Sequence, residues 1–293
     1  MKSFRVKLFV AVLSVLAGAT LVAAQQAKDT TAADSFGKQV AAISAGADNA
    51  ARRAAIIKRL DQLGIKYRLE TFTRGQRQGT NIVVELPRSE GRKELMLGAH
   101  YDRVAEGSGA VDNASGSAAV LELLAALKAE PLKNYALSAA FFDLEEVGLV
   151  GSAKHVQARQ GKNLPTTFIN FDVFGYGDTL WVGARDKNTG AAAIIEKVAT
   201  ANKFPIQIGP GYPPSDHLSF VTARIEALSF SLIDGTEIPG ILKMFSGQQP
   251  DQVPRVMQII HTPGDTMDKI DAVAVARALP VVEQAVRAID AQP

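Results

Sequence analysis

Glu94-Leu95-Met96-Leu97-Gly98-Ala99-His100 and Ala136-Leu137-Ser138-Ala139-Ala140-Phe141-Phe142-Asp143-Leu144-Glu145-Glu146 are the stretches that decide the fold. Each is a short apolar run of strand length, and each leads directly into imidazole or carboxylate side chains. Between them the sequence turns helical from Asn113, with Leu121, Leu124, Ala125 and Lys128 at near-helical spacing through Ala129. Strand, helix, strand is the unit of an α/β layered sheet.

The alternation continues outward in both directions. Residues 26–34 are small and polar and read as a loose leader. A helix is expected over 47–63, with strands over 67–72 and 81–86. Beyond Glu146 come a helix over 149–160, strands near 167–171 and 179–182, a helix over 190–202, a strand over 227–233 and a last helix over 271–288. No Pro/Gly/Ser-rich linker divides the chain, and 47% apolar composition in 293 residues can bury one large core. The expected architecture is a single-domain α/β fold, a mixed β-sheet sandwiched by helices, over residues 47–293, with a leader at 25–46.

Residues 1–24 are read separately. Lys2, Arg5 and Lys7 precede an uncharged run from Leu8 to Val22, and Val22-Ala23-Ala24 offers small residues for cleavage before Gln25. The run is about 15 residues long, short of the roughly 20 that span a bilayer. It reads as a secretory signal peptide, which makes the chain exported, periplasmic or secreted, with no stable membrane anchoring after cleavage. The net charge of +2 includes those three cations, so the remainder carries about −1. Such a balance offers no electrostatic footprint for nucleic acid, and Arg52, Arg53, Lys58 and Arg59 read as the solvated face of an amphipathic helix. The absence of cysteine excludes disulfides, thiolate metal sites and a cysteine nucleophile.

In α/β sheets, ligands bind at the carboxyl ends of the strands, and the chemistry-bearing residues cluster there. His100, Asp112, Glu146, Asp172 and His261 each sit in a segment that makes sense if the residue grips a metal ion. Two imidazoles and three carboxylates suit zinc, cobalt or manganese, and a carboxylate shared between two ions is a device of two-metal hydrolases. In His100-Tyr101-Asp102 the outer residues point the same way along an extended chain, so Asp102 can orient the imidazole. Asp112 passes from a Gly-rich loop into small residues, although alone it would read as a helix N-cap. Glu145 and Glu146 are adjacent carboxylates at a strand end, costly to bury without a cation and able to divide the roles of base and ligand. Asp172 ends an apolar strand, and His261 opens a Pro/Gly loop in which Asp265 and Asp268 are expected to cap the final helix.

The segments LGAHYDRV, VDNASGSAAVLELL, FFDLEEVGLVGS, NFDVFGYGD and HTPGDTMDKID together resemble the M28 family of zinc metallopeptidases, in the family's order over about 165 residues. The resemblance implies an aminopeptidase acting on peptide substrates with two divalent metal ions, zinc foremost. Carried over by position, it would place one ion on His100 and Asp172 and the other on Glu146 and His261, with Asp112 bridging. Glu145 would be the base that activates a bridging water, and Asp102 the orienter of His100.

Two other readings compete. A glutaminyl-cyclase-like single-zinc acyltransferase is disfavoured by the resemblance, which implies that a two-metal peptidase follows the bridging Asp with Asn, as in Asp112-Asn113, and that the compact turn from Glu145 to Gly151 is the peptidase form. A catalytically inactive peptide-binding module should lack a ligand or the base, and none is missing. His155 is expected to be a surface or packing residue, and His217 to lie in the pocket or behind it. Phe174, Tyr176, Tyr212, Phe220, Phe230, Met244 and Phe245 are candidates for either pocket or core. The oligomeric state leaves no readable trace.

Overall fold

The structure, a computed structural model, describes residues 29–86, 92–188 and 190–292. The expected signal peptide lies outside the described residues. Among the described residues eight strands are formed: β1 (Tyr67–Arg74), β2 (Arg77–Glu85), β3 (Lys93–His100), β4 (Tyr135–Phe142), β5 (Thr167–Phe174), β6 (Thr179–Gly183), β7 (Ile206–Gly209) and β8 (Glu226–Ile233). They make one sheet in the order β1-β2-β4-β3-β5-β8-β6-β7. The centre, from β4 through β3 and β5 to β8, is parallel. The pairings β1–β2, β2–β4 and β6–β8 are antiparallel, which makes the sheet mixed.

The central strands are buried on both faces, and their side chains divide between two cores with period two. Leu95, Leu97, Ala99, Ala139, Phe141, Ile169 and Phe171 face one core. Met96, Ala140, Phe142 and Phe168 face the other. The first core is covered by α2 (Asn49–Gln62), α3 (Ser115–Ala129), α5 (Gly190–Ala201) and α9 (Ala272–Asp290), and the second by α4 (Val150–Arg159) and α6 (His217–Thr222). Two short helices, α7 (Ile238–Phe245) and α8 (Arg255–Ile259), build a smaller apolar cluster with Trp181 and Ile233.

The amino-terminal expectation is corrected. Residues 29–34 are not a loose leader but the start of a helix over residues 29–44, α1. Phe36, Val40 and Ile43 are at most 1% exposed and belong to the first core. Their i, i+4, i+7 spacing forms one helical stripe, which the small polar composition just upstream conceals.

Arg52 departs from expectation as well. It lies on the inner face of α2 and is fully buried rather than solvated. The final helix is capped by Asp271, whose side chain accepts from the Ala274 amide at 2.9 Å. Asp265 and Asp268 play no part in that cap: Asp265 is buried in another role, and Asp268 pairs with Thr266 and Lys269 in a 3-10 turn.

Candidate metal centre

All five ligand candidates converge at the carboxyl ends of the parallel strands. His100 is the last residue of β3, and its Nε2 lies 3.2 Å from Asp112 Oδ1 and 3.4 Å from Asp172 Oδ1. His261 Nε2 lies 3.1 Å from Asp112 Oδ2 and 3.1 Å from Glu146 Oε2. Two ligand triads result, His100/Asp112/Asp172 and Asp112/Glu146/His261. Asp112 belongs to both and turns a different oxygen toward each.

Local structure explains each placement. Asp172 lies within β5 rather than after it, at a bulge where Phe171 pairs with Phe230 and Phe174 with Leu232. Val173 takes a φ of 56° there, and Ser231 Oγ donates to the Asp172 carbonyl at 2.5 Å. The bulge re-aims the carboxylate toward the site. Asp112 precedes α3 and caps nothing. Asn113 instead donates to the Phe171 carbonyl at 2.8 Å and accepts the Gly116 amide at 2.8 Å, binding the Asp112 turn to β5. Asp265 is 2% exposed, and its carboxylate accepts the Val111 amide at 2.7 Å and the Asp112 amide at 3.1 Å. The histidine loop thus grips the backbone of the aspartate common to both triads.

The Glu145-Glu146 turn has its own support. Asp102 accepts the Glu145 amide at 3.1 Å with one oxygen and the Glu146 amide at 3.2 Å with the other, while His100 Nδ1 stands 3.4 Å from Oδ1. Asp102 therefore fixes the acidic turn and stands beside the imidazole, whose Nδ1 is buried without a hydrogen-bond partner. Asp143, after β4, accepts from Tyr101 Oη, the Thr80 amide and Asn49 Nδ2 at 2.9, 2.9 and 2.6 Å. At Gly151 a Cβ would stand 2.3 Å from the Asp143 carbonyl oxygen, which is why the reversal into α4 needs glycine.

The donors fit divalent cations. One oxygen each of Glu146 and Asp172 is buried without a hydrogen-bond partner, an arrangement that costs free energy unless a positive charge faces it. The carboxylates of Asp112 and Glu146 hold the His261 imidazolium up to about 11. Burial pushes the Glu145 carboxyl well above the ordinary carboxylate range, opposed by His100 and reinforced by repulsion from Asp216, Asp172 and Asp112. Asp216, fully buried, is raised to about 7, mainly by burial. The site as a whole demands positive charge, and its nitrogen and oxygen donors match zinc or a similar ion.

Both triads and Glu145 open onto a cavity of about 300 Å³ whose far wall is apolar, built from Val173, Trp181, Ile233, Ile241, Met257 and Ile260. Of the aromatic and Met candidates singled out by sequence, Tyr212 and Phe245 line it, while Phe174, Phe220 and Phe230 are buried core. Trp181, Ile241, Met257 and Ile260 escaped sequence reading because their segments carry no polar motif to mark them. His217 is buried behind the site, with its ring set edge-on to Tyr212 at 5.7 Å. Burial pulls it down to about 4. His155 is a packing residue, fully buried on α4, with Nδ1 2.8 Å from Glu70 Oε2.

Fold and site together define an α/β protein with a metal-competent centre at the ends of its parallel strands. The sequence matches the family model described as Peptidase family M28 over residues 81–286. The chain belongs to peptidase family M28. It is 41% identical over 108 residues to an aminopeptidase of Pseudomonas aeruginosa, a match covering 35% of this chain and 20% of that protein. The chain therefore spans about a fifth of that relative's length. A zinc aminopeptidase from Bacillus subtilis superposes with a TM-score of 0.61 at 25% identity, covering 72% of this chain and 50% of that one. A glutaminyl cyclase from Porphyromonas gingivalis, at 20% identity, shares the fold with a TM-score of 0.68 over 89% of this chain and 98% of its own.

Proposed function

We propose that the chain is an exported two-zinc aminopeptidase that removes N-terminal residues from peptides. The observation that carries this reading is the position of Asp112, with Oδ1 3.2 Å from one histidine and Oδ2 3.1 Å from the other. Only a carboxylate placed between two triads serves two ions. His100 and Asp172 would hold one zinc, Glu146 and His261 the other. Zinc held there supplies Lewis acidity to a substrate carbonyl and makes water easier to deprotonate.

The remaining chemistry belongs to the chain. Glu145 lines the cavity beside Glu146 without belonging to either triad, so it is free to take a proton from the attacking water and return it to the leaving amine. Asp102, bonded to both amides of that turn, keeps the base and the ligand in register. The apolar wall receives the side chain of the N-terminal residue and favours bulky aliphatic or aromatic groups. Preference for exopeptidase action follows the relatives, which are named aminopeptidases. Export follows the signal-like residues 1–24.

The test is hydrolysis of aminoacyl-anilides with and without chelator, alongside zinc content. Chelator-sensitive release and restoration by zinc are expected. A glutaminyl-cyclase activity would appear instead as ammonia loss and pyroglutamate formation from Gln-peptides with one zinc per chain, and an inactive module as metal binding with neither activity.

A further inference from the structure

Arg52 stands apart from the other cations of α2. Its side chain is fully buried and projects from the second turn of the helix to the loop joining β3 to the Asp112 turn. Nε donates to the Tyr101 carbonyl. Nη1 donates to Ser108 at 2.8 Å and Nη2 to Gly109 at 3.1 Å, both to main-chain carbonyls. A guanidinium presents donors in a rigid fork, which a flexible ammonium does not reproduce. The three carbonyls bracket the loop from the residue after His100 to the third residue before Asp112.

The loop is held from its other side too. Asp265 accepts the amides of Val111 and Asp112, and its own carbonyl accepts the Ser108 amide at 2.8 Å. Arg52 binds carbonyls and Asp265 binds amides, so the segment 108–112 has both edges of its backbone fixed. Burial and then repulsion from Arg103 lower the guanidinium to about 10, opposed by the attraction of Asp102, Asp112 and Asp265. Gly46, which connects α1 to α2, lets the chain pass close to Arg52: a Cβ there would meet Arg52 Cγ and the Arg52 backbone N, each at 2.7 Å.

We infer that Arg52 is a positioning residue for the metal pair, acting through the 101–109 loop to set His100 and the shared ligand Asp112. It lies outside residues 81–286, so a helix preceding the family-matched region completes the site. The inference rests on the two-zinc reading above. Outer partners of metal ligands typically contribute 10- to 100-fold to metal affinity, and Arg52 belongs in that range.

The experiment measures zinc affinity by competition with a chromophoric chelator for the full chain and for Arg52→Gln, Arg52→Lys and Gly46→Ala. Phe36→Ala, in the same amino-terminal layer but away from the loop, is the control for lost stability. Wild type should bind two zinc ions, and failure there contradicts the two-zinc reading rather than this inference. Arg52→Gln should weaken binding about 10- to 100-fold, Arg52→Lys should recover little of it, and Phe36→Ala should leave zinc affinity unchanged while lowering the melting temperature. Gly46→Ala sets a Cβ 2.7 Å from both Arg52 N and Arg52 Cγ, so it shifts the start of α2 and the arginine stem together without removing the guanidinium; it serves if the Arg52 variants do not fold, and it too should weaken zinc binding. Wild-type zinc affinity in folded Arg52→Gln, or in Gly46→Ala when no Arg52 variant folds, would overturn the inference. A loss no larger than that of Phe36→Ala would do the same.

Discussion

Glu145 and Glu146 are chain neighbours with different surroundings, and that difference underlies the roles proposed for them. Glu146 meets His261 at 3.1 Å within a ligand triad, whereas Glu145 faces the cavity outside both triads. Glu145→Ala should retain both zinc ions and lose about 10²- to 10⁴-fold in kcat, the usual contribution of a general base. Glu146→Ala should lose one ion. Metal analysis and peptidase rates on the two variants separate the roles, and near-wild-type activity in Glu145→Ala would contradict the assignment. At this scale the convergence of His100, Asp112, Glu146, Asp172 and His261 was legible, because each is a polar residue marked by its place at the end of an apolar run or in a Gly-containing loop. Arg52 and Asp265 were misread for a complementary reason: both act on backbone carbonyls and amides of distant loops, and such partners leave no trace in side-chain pattern.

Among the elements, the junction of β1 and α4 carries a pH dependence. Burial raises the Glu70 carboxyl, but the hydrogen bond and charge of His155, helped by Asn81 and Arg68, outweigh it and bring it down to about 2. A depressed carboxylate contributes its full stability above its ordinary value and loses it as pH falls through about 2. Glu70→Gln should therefore cost about 2 kcal/mol at pH 7, the scale of a charge-assisted hydrogen bond. The gap to wild type should close as pH is lowered through the acidic range. Denaturant titrations of both proteins across that range check it, and a gap independent of pH would contradict the sign. The strands of the central sheet were legible from their apolar runs, with β5 extending to Phe174 beyond the expected end because a bulge, which has no composition signal, carries it past Asp172. The short elements β7, α6, α7 and α8 were not read, since four to eight residues leave too little periodicity to recognise.

For the whole molecule, α1 is part of the packed unit among the described residues. Phe36 is fully buried in the core shared with α2, α3 and α9, so Phe36→Ala should destabilise by about 3–5 kcal/mol. Thermal or denaturant unfolding reads this directly, and an unchanged midpoint would return α1 to the status of a loose leader. The α/β architecture was legible because alternating strands and helices admit few layered solutions, and helices covering both faces of a parallel centre bring distant loops to one edge. That convergence is what places residues as far apart as His100 and His261 around Asp112. The central claim, that Asp112 is shared by two metal ions, is tested most directly by anomalous diffraction at the zinc edge from crystals of the zinc-loaded protein. The account predicts two peaks about 3.5–4 Å apart, one beside His100 and Asp172 and one beside Glu146 and His261, with Asp112 between them. A single peak, or peaks that do not contact Asp112, would contradict it.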